Sequence, residues 1–424
     1  MKFTTLSAWL AHLESLHPSS IELGLERVRA VKARLGADLA CPVVIVGGTN
    51  GKGSTCAFLE SLLTSAGHRT GVYTSPHLLR YAERVRIGAQ EVDESALCAA
   101  FAAVEAARGD VSLTYFEFGT LAAAWLFARE NVDAAVLEVG LGGRLDAVNV
   151  FDADVAVVTS VDLDHQDWLG DTREDIGREK AGIFRPGRVA ICADPAPPAA
   201  LVAHARAIGA DLRVIGQAFS VTRDADGWRF EGRHWRLGAL PWPRLRGDFQ
   251  LGNAGAALAA LEVLAKRLPV PLAAISEGLR NARVTGRFEV LPGRPAVILD
   301  VAHNPHAARA LAANLATTRG EGRTFAVFAM LADKDIAGVA AAVRGQIDHW
   351  LVAGLDVPRG ASAQTVLAAL AKAAPGAPAE CLPSVAAACR RACERAGEDD
   401  RIVAFGSFYT VAEALRWHSS AEGA

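Results

Sequence analysis

The sequence predicts an α/β protein: a mostly parallel sheet domain followed by a smaller second α/β domain. Three observations predict it. Short β-branched apolar runs alternate with longer helical patterns along the chain, as expected for parallel strands covered on both faces. A stretch holding Gly286, Pro292, Gly293 and Pro295 interrupts the alternation, which then restarts. The length, 424 residues, exceeds the usual size of one domain. The chain is therefore divided into residues 1–283, a linker at 284–295, and a second domain at 296–424.

The elements follow in order. Residues 6–16 and 25–35 read as amphipathic helices, the second with Arg27, Arg29, Lys32 and Arg34 on its wet side. The run 42–47 is apolar, β-branched and closed by Gly47, so it reads as a buried parallel strand, with a helix over 54–66 directly after it. Further strands are predicted at 70–74, 134–139, 155–160, 189–193 and 212–215. Helices at 95–108, 116–131, 172–183 and 198–208 lie between them. Residues 219–237 alternate around Asp226-Gly227 and predict a small antiparallel excursion. An alanine-rich helix covers 253–268. Beyond the linker, strands are predicted at 297–301, 324–329, 350–352 and 402–405, with alanine-rich helices between them.

Composition narrows the function classes. Apolar residues make up 51% and charged residues 21%, with a net charge of -3. That balance gives no global attraction to nucleic acid or an anionic membrane. An anionic substrate must be held by local positive groups. The seven cysteines are scattered without a C-x-x-C pair, which argues against a disulfide framework or zinc site and for reduced thiols. Residues 1–20 lack the continuous apolar core of a secretory leader, and no long uncharged apolar run follows. A cytoplasmic monomer is expected.

The segment Gly47-Gly-Thr-Asn-Gly-Lys-Gly-Ser54 lies between a buried strand and a helix. Glycines let backbone N–H groups converge on phosphate oxygens, and the helix N-terminus adds favourable potential. Thr49, Asn50, Gly51, Lys52, Gly53 and Ser54 are the candidate nucleotide-binding residues, with Lys52 supplying positive charge. The spacing departs from the strict phosphate-loop pattern, because Gly53 separates Lys52 from Ser54. The first domain is read as P-loop NTPase-like and the second as Rossmann-like. Glu138 ends an apolar strand at the edge where parallel sheets bind ligands, and a carboxylate there suits Mg²⁺. The run Gly140-Leu-Gly-Gly-Arg-Leu145 fails as a dinucleotide fingerprint: its sixth position is leucine, and an acid follows at once at Asp146. On its own residues, Lys180 reads as a dipole partner near the end of a helix capped by Thr172.

The loop resembles that of the ATP-dependent ligases that include the folylpolyglutamate synthases and the Mur ligases. Further segments resemble the folate branch: Ile21 to Val28, Thr74-Ser-Pro-His77, Leu113-Thr-Tyr-Phe-Glu117, Leu137 to Asp146, Thr159 to Gly170 with Asp164-His165, Arg178 to Phe184, Asp300-Val-Ala-His-Asn-Pro-His306 and Phe405-Gly-Ser-Phe408. The resemblance spans nearly the whole chain. It implies ATP-dependent joining of L-glutamate to dihydropteroate and to folates through an acyl phosphate. It implies ATP and two Mg²⁺ ions, with room for a monovalent cation. Ser75, Glu138 and His165 are the implied metal ligands, with Lys180 carbamylated beside them. Asn253, Arg287 and Asp300 match ATP positions. Glu22, Leu23, Gly24, Leu25, Thr114, Tyr115, Phe116, Glu117, Leu145, Asp146 and Ala147 match a dihydropteroate site, where Tyr115 and Phe116 suit ring stacking. His303 and Ser407 match glutamate positions, between the domains. Two rivals stay open: a Mur-type ligase with another acceptor, and a non-enzymatic nucleotide switch.

Overall fold

The computed structural model describes residues 3–19 and 21–422. Of the N-terminal stretch read above, residues 1, 2 and 20 lie outside the described residues. The chain forms two compact units, Met1–Arg244 with Gln250–Arg283, and Leu245–Phe249 with Val284–Ala424. The fold is α/β in both.

The first unit is built on eight strands: β1 (Val43–Gly47), β2 (Thr70–Tyr73), β3 (Val85–Ile87), β4 (Gln90–Glu91), β5 (Ala134–Glu138), β6 (Val155–Val158), β7 (Val189–Cys192) and β8 (Asp211–Val214). Their order is β4-β3-β2-β5-β1-β6-β7-β8. The six strands from β2 to β8 in that order run parallel, and β3 and β4 add an antiparallel edge. β1 is buried throughout and lies between β5 and β6, with Val46 opposite Glu138 and Gly47 opposite Val158. Burying each Val or Ile here contributes about 1.5–3 kcal/mol. The carboxyl ends of β1, β5 and β6 thereby meet where connections leave the sheet in opposite directions, the usual ligand edge of such sheets.

The Lys52–Ser65 helix follows β1 and starts two residues earlier than the sequence pattern suggests. Loop-like glycines disguise its first turn. It packs closely on the Leu272–Asn281 helix: a Cβ on Gly278 would lie 2.8 Å from the Leu62 Cα, and Ser61 Oγ donates to the Gly278 carbonyl at 2.8 Å. The antiparallel excursion forms as predicted, as β9 (Ser220–Asp224), β10 (Gly227–Glu231) and β11 (Arg236–Leu240).

The second unit holds β12 (Glu289–Leu291), β13 (Ala296–Asp300), β14 (Thr324–Phe328), β15 (His349–Ala353), β16 (Ala379–Leu382) and β17 (Arg401–Phe405). Their order is β12-β13-β17-β14-β15-β16, parallel except for β12. The expected linker at 284–295 is corrected here. β12 pairs antiparallel with β13, and the preceding turn is held by Gly286 N donating to Glu289 Oε2 at 2.9 Å. Three residues of strand among glycines and prolines carry too little periodicity to be read from sequence. Leu245–Phe249 also belongs with this unit: Asn314 Nδ2 donates to the Arg246 carbonyl at 3.4 Å. Among the described residues, no helix is long and apolar enough to cross a membrane.

Candidate active site

The phosphate loop is fixed by the chain that leaves β6. Thr159 Oγ1 donates to the Asn50 carbonyl at 2.6 Å and to the Gly47 carbonyl at 3.2 Å. Thr49 N donates to the Ser160 carbonyl at 2.8 Å, and Asn50 N to Ser160 Oγ at 3.1 Å. The Thr49 hydroxyl links to the Asp162 backbone at 3.0 Å on both its N–H and its carbonyl. On the other flank, Asn253 Nδ2 donates to Gln250 Oε1 at 2.9 Å, and Gln250 Nε2 to Ser54 Oγ at 3.3 Å. A Cβ on Gly51, whose φ is +86°, would lie 2.5 Å from Asn253 Oδ1. Asn253 therefore stands against the loop itself. Thr159 and Ser160 fall in the 159–170 segment read above by resemblance, though neither is assigned a role from the sequence, and Gln250 is not anticipated.

Lys52 is half-buried at the helix start, and its ammonium donates to the Gly48 and Thr49 carbonyls at 3.0 and 3.2 Å. Glu138 is buried, and its Oε2 accepts from Ser75 N at 3.2 Å. A Cβ on Gly53 would lie 3.8 and 3.9 Å from the two Glu138 oxygens. The carboxylate thus faces the first turn of the phosphate-loop helix, and Lys52 and Glu138 share one side of the sheet edge.

Lys180 departs from the solvated helix-end charge that its position suggests. It is only 3% exposed. Burial lowers its pKa to about 7, Lys52 pushes the same way, and Asp164, Asp146 and Glu179 oppose. Gly143 permits this packing, since a Cβ there would lie 3.2 Å from the Lys180 Cα. Asp146 is buried too, and desolvation raises its pKa to about 7 against the pull of backbone N–H groups. Those donors are Leu141 N at 2.9 Å and Val148 N at 3.1 Å, so Asp146 shapes the glycine turn after β5. His165 lies in the loop after β6 with φ of +52°, a left-handed conformation uncommon for a side-chain-bearing residue. Its imidazole Nε2 is 3.9 Å from Asp164 Oδ1.

The three segments matched to dihydropteroate converge. Arg27 joins two of them: its guanidinium donates to Glu117 Oε1 at 2.9 Å and to the Glu22 carbonyl at 3.0 Å, and also pairs with the Glu22 carboxylate. Gly24 N donates to the Leu145 carbonyl at 3.4 Å, bringing in the third. Leu25 and Ala147 are buried, while Leu23 and Leu145 are half-buried. Glu117 also closes a capping box with Thr114, accepting from Thr114 N at 2.7 Å and donating its own N–H to Thr114 Oγ1 at 3.3 Å. Its carboxylate is thus committed to the helix start and to Arg27. Tyr115 and Phe116 are only half-buried, and the Phe116 ring covers Gly140 so closely that a Cβ there would lie 2.8 Å from it.

In the second unit, Asp300 ends β13 buried and accepts from Phe288 N at 2.9 Å and Ala302 N at 2.8 Å. Desolvation raises its pKa, opposed chiefly by Arg287. Arg287 also lies over the Phe408 ring, 5.4 Å from its centre. His303 Nδ1 is 2.8 Å from the Val301 carbonyl, which assigns that nitrogen as the donor when the ring is neutral. Ser407 is buried, and its hydroxyl accepts from Thr410 N at 3.0 Å at the start of the Phe408–Glu422 helix.

The donor chemistry fits a hard divalent cation. One buried carboxylate beside a serine and the phosphate loop is what Mg²⁺ requires, since it fills its shell with phosphate oxygens and waters. No group of three or more His, Cys, Asp or Glu side chains that could hold a metal ion occurs among the described residues.

A phosphate loop clamped at the switch point, a buried acid beside it and a second α/β unit define an ATP-dependent ligase of the Mur type. Residues 46–261 match the Mur ligase middle domain, and residues 286–408 the Mur ligase glutamate ligase domain. The chain is 48% identical over 411 residues to the Escherichia coli K12 dihydrofolate synthase/folylpolyglutamate synthase, covering 97% of this chain and 94% of that protein. Its fold matches E. coli FolC in complex with DHPP and ADP at a TM-score of 0.94, with 47% identity over 99% of each chain. It matches the bifunctional enzyme from Yersinia pestis complexed with AMPPNP and Mn ion at 0.91, with 47% identity over 98% of each chain. The chain belongs to the dihydrofolate synthase/folylpolyglutamate synthase family.

Proposed function

We propose that this protein joins L-glutamate to dihydropteroate, giving dihydrofolate, and to the terminal glutamate of folates, giving polyglutamates. Each ligation consumes ATP, passes through an acyl phosphate and releases ADP and phosphate. The observation that carries the reading is the Glu138 carboxylate, hydrogen-bonded to Ser75 and set against the first turn of the Lys52 helix. A phosphoryl donor and its charge-neutralising groups meet at one edge there. The full-length similarity to dihydrofolate synthase/folylpolyglutamate synthase supports the choice of acceptor.

The loop amides from Thr49 to Ser54 cradle the phosphates, and Lys52 turns from the loop carbonyls to the terminal phosphate as charge develops there. Ser75, Glu138 and His165 would hold Mg²⁺, which neutralises phosphate charge when bound. Asn253 borders the loop for the nucleotide, and Arg287 and Asp300 are the further residues assigned to ATP. The pterin lies against Tyr115 and Phe116 amid Glu22–Leu25 and Leu145–Ala147. The substrate carboxylate oxygen forms a bond to the γ-phosphorus as the bond to ADP breaks. The glutamate amine, held by His303 and Ser407, then attacks the acyl carbon and phosphate leaves. Holding these groups in place removes most of the entropic cost of the encounter.

Lys180 belongs to this cluster as a carbamate. Its depressed pKa supports that role, because only the neutral amine attacks CO₂. The ammonium first loses one proton; the neutral Nζ then bonds to the CO₂ carbon as one C–O π bond opens, and a second proton is released, so a cation becomes an anion beside the proposed metal ligands. Two Mg²⁺ ions and a monovalent cation complete the proposed set. The protein works as a cytoplasmic monomer on small-molecule substrates, with its seven cysteines unpaired. The test is product analysis. Incubated with ATP, Mg²⁺ and glutamate, dihydropteroate and a reduced folate offered separately should each gain the mass of one glutamyl residue or more. Phosphate release without a heavier product from either would reject the proposal.

A further inference from the structure

The phosphate-loop helix touches the Ser75 segment at a second place, two turns beyond Lys52. Glu60 on that helix is only 7% exposed. Arg86, on β3, grips it as a fork: Nε lies 2.9 and 3.1 Å from its two oxygens, and Nη2 lies 2.9 Å from Oε2. The remaining nitrogen, Nη1, donates to the Glu83 carbonyl at 3.0 Å and reaches Thr74 Oγ1 at 3.4 Å. Thr74 is the residue before Ser75. Glu83 in turn accepts from Leu78 N, Leu79 N and Arg80 N at 2.7–2.8 Å, so it sets the path of the chain just after Ser75.

These contacts close a ring. One side is the Lys52–Ser65 helix, from Gly53 to Glu60. The other is the segment from Thr74 to Arg86, which presents Ser75 N to Glu138. Glu138 spans the ring at one end, against Gly53, and the Glu60–Arg86 pair spans it at the other. Backbone pairing alone already holds β3 to β2, through Gly71 with Ile87, Val72 with Arg86 and Tyr73 with Val85. Every nitrogen of the guanidinium is spent on the two walls that carry the phosphate loop and Ser75. A lysine could neutralise Glu60 but could not hold both walls at once.

We infer that Glu60 and Arg86 form a positioning brace for the proposed metal site: the pair sets the distance between Ser75–Glu138 and the phosphate loop, and so tunes divalent-cation affinity without touching nucleotide, metal or acceptor. The inference rests on the reading that Ser75 and Glu138 hold the divalent ion. Groups that orient metal ligands from outside the coordination shell typically govern affinity by 10–100-fold.

The test uses the full-length protein with Mn²⁺ as the probe. Free Mn²⁺ is followed by electron paramagnetic resonance during titration in the presence of ADP, and ADP binding in EDTA by calorimetry. The variants are Arg86→Lys, Arg86→Gln with Glu60→Gln, and Glu138→Gln as reference. Expected for both brace variants is a loss of Mn²⁺ affinity of about tenfold or more. Metal-free ADP affinity should stay within about twofold, with a retained cooperative melt. Unchanged Mn²⁺ affinity in both brace variants, with a large loss in Glu138→Gln, overturns the brace alone. Equal losses of Mn²⁺ and metal-free ADP binding overturn it as well, because they mark general loosening. Unchanged Mn²⁺ affinity in Glu138→Gln overturns the underlying metal-site reading instead.

Discussion

At Gly48 the backbone φ is +147°, and a Cβ would run into Thr159 Oγ1. The hydroxyl it would strike is the one that ties Asn50 and Gly47 in place. Gly48→Ala should therefore cost about 1–3 kcal/mol of stability from strain and should weaken ATP binding more than folate binding. Denaturant unfolding and separate titrations of the two ligands check both halves. Lys180 gives a second prediction. Burial holds its folded pKa at about 7, below the ordinary lysine value of 10.5. Between those values the unfolded chain binds more protons, so this group makes stability rise with pH from about 7 upward, and its burial penalty is fully present below 7. Lys180→Met should flatten that rise, measured by urea unfolding in CO₂-depleted buffer from pH 6.5 to 9. Residues whose chemistry is written in their type were legible: Lys52 and Glu138 stand where a phosphate loop and a strand end must put them. Lys180 was not legible by position, because a helix end says nothing about what covers it. Thr159 and Ser160 act through ordinary hydrogen bonds that the folded register of β1 beside β6 creates, and Gln250 through bonds that only the packing of its helix against Ser54 creates.

Among the elements, the strands of the parallel sheet were the most legible, since fully buried runs such as β1 and β5 carry an unbroken apolar signal. The edges were not. β3, β4 and β12 are two or three residues long and partly exposed, so no period can develop. At the Tyr115–Arg129 helix the segment proposed to meet the substrate is also a structural start. Thr114 and Glu117 close the capping box, and Arg27 clips Glu117 to Glu22. Arg27→Met would leave the buried Glu117 without its partner and release the Glu22 segment. The expected outcome is a rise in the dihydropteroate KM of tenfold or more, an estimate of about 1.4 kcal/mol or above for a broken charge-assisted contact, with the ATP KM nearly unchanged. Steady-state kinetics with each substrate varied in turn would reveal it; equal rises in both would assign Arg27 to general stability.

Over the whole molecule, two α/β units match two parts of one ligase architecture, and similarity runs the length of the chain. The central proposed step is a transfer of phosphoryl from ATP to a carboxylate at the carboxyl edge of the first sheet. The direct test is to label the dihydropteroate carboxylate with ¹⁸O, run the ligation with unlabelled ATP and glutamate, and weigh the phosphate released. An acyl phosphate requires one labelled oxygen to appear in inorganic phosphate for each amide formed. Amide formation with wholly unlabelled phosphate would contradict phosphoryl transfer to the carboxylate.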